Sequence, residues 1–232
     1  MQQGELTREQ IAVALDFSDT QSALRLADCL GGDGLVYKVG LELFVAAGPE
    51  ILRVLKQRGA RLFLDLKLHD IPNTVAGAVR AAKSWQVDYL TIHLSGGRAM
   101  LEAAEEAASG ELSLLGVSVL TSMDEAALNE TGVQRKVEDQ VLALAGLGVE
   151  AGLRGVVCSP HEAPLLRQVF GPNLCLVTPG VRPAGSETGD QKRVTTPKQA
   201  LANGANLLVI GRPITAAPDP QEALDRILAS ET

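Results

Sequence analysis

Short aliphatic runs alternate with Ala/Leu-rich segments along the whole chain. The runs are "IAVALD" (11–16), "LVYKVG" (35–40), "LFLDLK" (62–67), "YLTIHL" (89–94), "LLGVSVL" (114–120), "GVVCS" (155–159), "LCLVTPG" (174–180) and "LLVIG" (207–211). The intervening segments 20–30, 49–58, 72–84, 97–108, 136–151, 161–170, 196–203 and 220–229 carry helical spacing. Pro49 and Pro72 stand where a first-turn proline is tolerated, and Thr196 followed by Pro197 reads as an N-cap with proline next to it. Eight strand-like runs alternating with eight helix-like ones predict βαβ units and a parallel sheet. The rival to a closed barrel is a doubly wound open sheet, which carries a Gly-rich turn after its first strand. Here that turn reads "LDFSDTQS". The expected fold is therefore an α/β (β/α)8 TIM barrel, a single domain over 1–232 with 1–10 as a short N-terminal extension.

The length of 232 residues suffices for a core without staples, since a chain of this size buries roughly 70% of its unfolded surface. Cys29, Cys158 and Cys175 fit neither a disulfide framework nor a zinc cluster, and read as reduced thiols of a cytoplasmic protein. No apolar run approaches the ~18 residues of a membrane span, and the opening "MQQGELTREQ" lacks the regions of a signal peptide. A net charge of −7 and 3% aromatic residues argue against a nucleic-acid partner, which needs a basic face and stacking platforms. A small anionic ligand remains compatible, because a few local arginines and N–H groups can hold one.

Charge enters where a buried parallel strand should be apolar. Asp16 closes the first run, Lys38 sits in the second, and Asp65 and Lys67 close the third, with His69 and Asp70 just beyond. Each costs desolvation unless it is paired or used, and a barrel's active site lies at the C-terminal ends of its strands. In a regular strand Asp65 and Lys67 share a face with Phe63, ~6.5–7 Å apart, and Lys38 on the neighbouring strand can stand beside them. With Asp70 they form a nearly neutral Lys-Asp-Lys-Asp array, an arrangement suited to electrostatic preorganisation. The plainer reading is a buried ion-pair layer. Runs seven and eight end in "PGVRP" and "IGRP", each joining a glycine that admits close approach to an arginine fork suited to phosphate. The polar stretch 184–197 between them is long for a βα loop and reads as mobile surface or an active-site lid. His69 is open between a base and a turn residue, His93 between a ligand contact and a support, and His161 reads as capping or beginning a helix. No spacing has the look of a metal site.

These strings, "ALDFSD", "YKVGLELF", "DLKLHDIPNT", "LTSM", "TPGVRP", "GDQKRVTTP" and "VIGRPI", occur in order from about residue 11 to the C-terminus and resemble the bacterial orotidine 5′-phosphate decarboxylase family. The resemblance implies cofactor-free release of CO2 from orotidine 5′-phosphate to give UMP, the last step of de novo synthesis of that nucleotide. It implies that Lys67 protonates C6 of the pyrimidine, that Asp65 sits beside the departing carboxylate, and that Lys38 completes the array. Asp70 and Thr74 match residues that reach a neighbouring subunit's site, so a homodimer is implied. Asp16 and Thr121 match substrate contacts, and Arg182, Gln191, Gly211 and Arg212 match the phosphate grip, Gln191 on the loop that closes over the ligand. The D-x-K-x-x-D core alone also occurs in related magnesium-dependent sugar-phosphate lyases, which stay as an alternative alongside a non-catalytic phosphate-binding barrel. A Schiff-base aldolase using Lys67 fits less well, because Asp65 and Asp70 favour the protonated amine.

Overall fold

Every aliphatic run forms a strand in the computed structural model, which describes residues 6–182 and 195–229. The strands are β1 (Ile11–Ala14), β2 (Val36–Gly40), β3 (Arg61–Leu68), β4 (Tyr89–His93), β5 (Ser113–Val117), β6 (Gly155–Val157), β7 (Cys175–Thr178) and β8 (Leu207–Ile210). All neighbours pair in parallel in chain order, and β8 pairs with β1 to close the barrel. The expected (β/α)8 architecture is thus the observed one.

The helices follow from the capping chemistry. Asp19 opens α1 (Thr20–Leu30) by accepting from the Ser22 N–H at 2.8 Å. Pro49 precedes α3 (Glu50–Gln57), after the short α2 (Leu41–Ala47), and Pro72 is the first residue of α4 (Pro72–Ser84). Next come α5 (Arg98–Ala108), α6 (Glu125–Glu130), α7 (Val137–Glu150) and α8 (Ala163–Phe170), with His161 in the turn just before α8. Thr196 caps α9 (Pro197–Ala202) by accepting from the Gln199 N–H at 3.2 Å. The chain ends with α10 (Arg212–Thr215) and α11 (Pro220–Ala229). Among the described residues no helix is long and apolar enough to cross a membrane.

Two features depart from the sequence reading. Helices α2, α6 and α10 were not expected; all are short, and α2 leaves Leu41 and Val45 exposed, so it has no clean apolar stripe to read. Several strands also stop before their apolar runs do. Residues 118–120 continue the fifth run, yet they leave the ladder, with the Ser118 N–H and hydroxyl both donating to the Val157 carbonyl. The run stays apolar because it stays buried, not because it stays in the sheet.

Side-chain alternation divides the core in two. Outward residues such as Leu62, Leu64, Leu90 and Ile92 pack under the helices. Inward residues fill the lumen, among them Ala12, Val36, Phe63, Leu115, Val177 and Leu207, with Tyr89 and Cys175 against them. Above this filled layer, small residues leave space.

Candidate active site

A cavity of about 570 Å³ opens at the C-terminal ends of the strands. Its floor is apolar, made by Ala14, Phe63, Val117, Val157 and Val209. The ends of β1 to β3 contribute Asp16, Lys38, Asp65 and Lys67, and the ends of β7 and β8 contribute Pro179, Gly180, Arg182, Gly211 and Arg212. Thr121 and Cys158 line the arc between them. A small molecule with an anionic end and a reacting end fits this division of charge.

The charged wall is one connected network. Lys67 Nζ donates to Asp65 Oδ1 at 2.8 Å, and the Thr91 hydroxyl donates to the same oxygen at 2.9 Å. Asp65 Oδ2 faces Lys38 Nζ at 3.6 Å, and Lys38 Nζ donates to Asp16 Oδ1 at 3.0 Å. Burial alone would push the Asp65 carboxyl up. The charges of Lys38 and Lys67, with the hydrogen bonds from Lys67 and Thr91, outweigh it and hold the carboxyl below its ordinary value. Asp65 is therefore a fixed anion between two ammonium groups, and its side chain is only 13% exposed. Both line the cavity, and Lys67, at 31%, is the more exposed member of the pair.

Strand regularity does not produce this geometry. Between Leu64, paired with Leu90, and Leu68, paired with Ile92, β3 takes four steps against two on β4. Lys67 lies inside that irregularity at φ +50°, a left-handed conformation that side-chain-bearing residues adopt at a cost. The ~6.5–7 Å spacing of an ideal strand gives way to a bulge that lets the Lys67 ammonium turn back onto Asp65. Opposite them, the backbone of Gly40 makes room: a Cβ there would stand 3.0 Å from both Asp16 Oδ1 and Lys38 Nζ.

The structure brings together Asp16, Lys38, Asp65, Lys67, Thr121, Arg182, Gly211 and Arg212 around one cavity. Asp70 and Thr74 are exposed and are not among its walls. Gln191, like most of the stretch 184–197, lies outside the described residues; the flanks of that stretch meet where Val181 bridges to Thr195 and the Arg182 N–H donates to the Thr195 carbonyl at 2.9 Å. Neither His69 nor His93 lines the cavity. Their rings stack at 5.3 Å, and burial, then the charges of His69 and Lys67, lower the pKa of His93.

Two residues of the site escape a reading by charge alone. Thr91 is 1% exposed and joins Asp65 to the Lys67 backbone. Its only sequence signal is a hydroxyl between two aliphatic residues in the middle of a strand, Leu90 and Ile92, which a buried position must satisfy. Gly40 ends a strand without a positive φ, so nothing in local conformation marks it; the close approach of Lys38 does.

Residues 9–227 match the family described as Orotidine 5'-phosphate decarboxylase / HUMPS family. Among curated relatives, the orotidine 5'-phosphate decarboxylase of Moorella thermoacetica is 52% identical over 231 residues, spanning 96% of this chain and 92% of the relative. That of Thermobifida fusca is 53% identical over 222 residues and spans 94% of each. Among solved structures, the orotidine 5'-phosphate decarboxylase of Lactobacillus acidophilus superposes with a TM-score of 0.85 at 35% identity, covering 96% of this chain and 98% of that one.

Proposed function

The chain belongs to the Orotidine 5'-phosphate decarboxylase / HUMPS family, and from that membership we propose how its cavity carries out the reaction named for its relatives. It converts orotidine 5′-phosphate to UMP and CO2 in pyrimidine biosynthesis. The observation that carries the assignment of roles is the Lys38–Asp65–Lys67 network in a cavity that two arginines also line.

In this reading Arg182, Arg212 and the N–H of Gly211 hold the phosphate, with Gln191 reaching it from the loop. Asp16, Lys38 and Thr121 contact the rest of the nucleotide, so the C6 carboxylate lies against Asp65. When the C6–CO2 bond breaks, its electron pair stays on C6. Lys67 Nζ then gives its proton to C6, CO2 departs, and the amine is reprotonated from solvent. A carbanion at C6 is poorly stabilised by water, and an ammonium already fixed by Asp65 meets the developing charge without reorganisation. Binding energy from the remote phosphate organises the reacting end. No cofactor takes part in these steps.

We also place the protein in the cytoplasm and read it as a homodimer whose partner supplies Asp70 and Thr74. What supports the dimer is the rim itself. Ile71, between those two residues, is 67% exposed, and Leu41 and Val45 in α2, which follows the adjoining strand β2, are 54% and 80% exposed. Mixing Lys67→Ala chains with Asp70→Ala chains should restore one intact site per mixed dimer; no regained activity would return Asp70 to its own subunit.

The reaction is tested by following the loss of substrate absorbance with orotidine 5′-phosphate in the presence of a chelator. Turnover is expected to persist. A strict magnesium requirement, with activity on a keto-hexulonate phosphate instead, would move the chain to the sugar-phosphate lyases of the same family.

A further inference from the structure

We propose that Thr91 is a positioning residue: one buried hydroxyl fixes both the facing of Asp65 and the backbone from which Lys67 acts. The inference rests on the reading of Asp65 and Lys67 as the reacting wall.

Thr91 stands in β4 and is 1% exposed. Its Oγ1 accepts from the Lys67 N–H at 2.8 Å and donates to Asp65 Oδ1 at 2.9 Å. A hydroxyl has one proton to give. With the Lys67 amide on one of its lone pairs, that proton goes to the carboxylate, so the bonds run in one direction from amide to hydroxyl to carboxylate. Linked in this way, each bond polarises the next.

Both ends of that relay need it. The β3–β4 ladder breaks between Leu64 and Leu68, where β3 takes two extra steps, and a partly buried N–H freed by such a break is best satisfied by a local acceptor. Thr91 is the acceptor for Lys67, the residue at φ +50°. At the other end, Asp65 Oδ1 takes two hydrogen bonds, from Lys67 Nζ and from Thr91, while Oδ2 has Lys38 at 3.6 Å, beyond hydrogen-bond length. The carboxylate plane is therefore set by Oδ1, and two side chains set Oδ1. Removing the hydroxyl leaves Oδ1 to the flexible Lys67 chain, with only the longer Lys38 contact on Oδ2, and frees the backbone beneath Lys67.

The test compares wild type with Thr91→Val, which swaps the hydroxyl for a methyl of similar size, with Thr91→Ala, which reads the same loss if the valine misfolds, and with Thr91→Ser, which restores the hydroxyl. Turnover of orotidine 5′-phosphate and calorimetric affinity for UMP are measured together. UMP lacks the carboxylate that faces Asp65, so it reports an intact cavity. Thr91→Val should lose kcat by ~100-fold, the scale set by a misplacement of about 1 Å, while its UMP affinity stays within ~3-fold. Thr91→Ser should recover most of that loss. A valine or alanine variant with kcat within ~3-fold of wild type would overturn the inference. So would a serine variant as impaired as the valine, or a loss of UMP affinity that matches the loss of kcat. Failure of the wild-type chain to turn over the substrate would instead sink the parent reading.

Discussion

The two ends of β3 both bury charge in the barrel lumen, and they do so to different ends. At the foot, Arg61 donates to the Tyr89 hydroxyl at 2.7 Å and its guanidinium stands 5.6 Å from that ring's centre. Phe63 meets the same ring edge-on at 6.1 Å. At the mouth, Asp65 is held by Lys67 and Thr91, with Lys38 across from it. The foot satisfies one cation with a single neutral aromatic ring, Tyr89, and packs it. The mouth places two ammonium groups around one carboxylate and turns one of them to an open cavity. A buried charge is thus weak evidence for chemistry by itself; what distinguishes the mouth is that its charges hold one another in place while one side stays accessible.

That contrast can be broken most sharply at Lys67. Lys67→Ala should cut turnover of orotidine 5′-phosphate by ~10⁴-fold or more, the upper range for loss of a positioned proton donor. Calorimetry should still show UMP bound; retained turnover would make the mouth a second packing layer. A subtler blow is Gly40→Ala. Its methyl would enter at 3.0 Å from Lys38 Nζ and Asp16 Oδ1 and displace the far side of the network. We expect a loss of ~10-fold or more in kcat/KM with the melting temperature little changed, and unchanged kinetics would show that Lys38 need not be held. At the foot, Arg61→Met should leave kcat/KM within ~2-fold and cost about 1 kcal/mol of stability, the scale of one cation–π contact and one hydrogen bond. A large kinetic defect there would erase the distinction between the two ends.

The smallest expected effect concerns His93, beside the mouth but outside the cavity. Burial, with the charges of His69 and Lys67, lowers its folded-state pKa against the opposing pull of Asp65. The unfolded chain, with His near 6.5, then binds more protons in the window just below that value, so stability rises with pH there and falls on acidification. His93→Gln should flatten the change in denaturant midpoint between about pH 7 and pH 5. Parallel curves for the two proteins would mean that His93 is solvated like an ordinary histidine.

Much of this was legible in the chain itself. Alternating aliphatic and amphipathic segments were enough for the barrel, and charge at the strand ends was enough to locate its mouth. Asp65, Lys67 and Lys38 declared themselves because a carboxylate or an ammonium in a core strand is costly. The manner of their meeting did not. Alternation predicts a shared face for Asp65 and Lys67, whereas the left-handed turn at Lys67 depends on how β3 slips against β4, a tertiary fact. Thr91 and Gly40 stayed hidden for the same reason: a threonine fits any strand and a glycine any strand end, and only the neighbours packed against them give them work. Asp70 and Thr74 carry signals in the motif, yet neither lines the cavity that holds the other charges.

The aromatic stopper at the foot has a consequence for traffic. Phe63 and Tyr89 fill the lumen beneath the cavity together with Ala12, Val36, Leu115, Val177 and Leu207, and Arg61 stands against Tyr89 at the foot. In the proposed reaction, substrate and products exchange through the cavity mouth at the C-terminal ends of the strands. Carbon dioxide freed beside Asp65 in the proposed reaction starts next to the apolar floor of Phe63, Val117, Val157 and Val209 while the nucleotide is still in place.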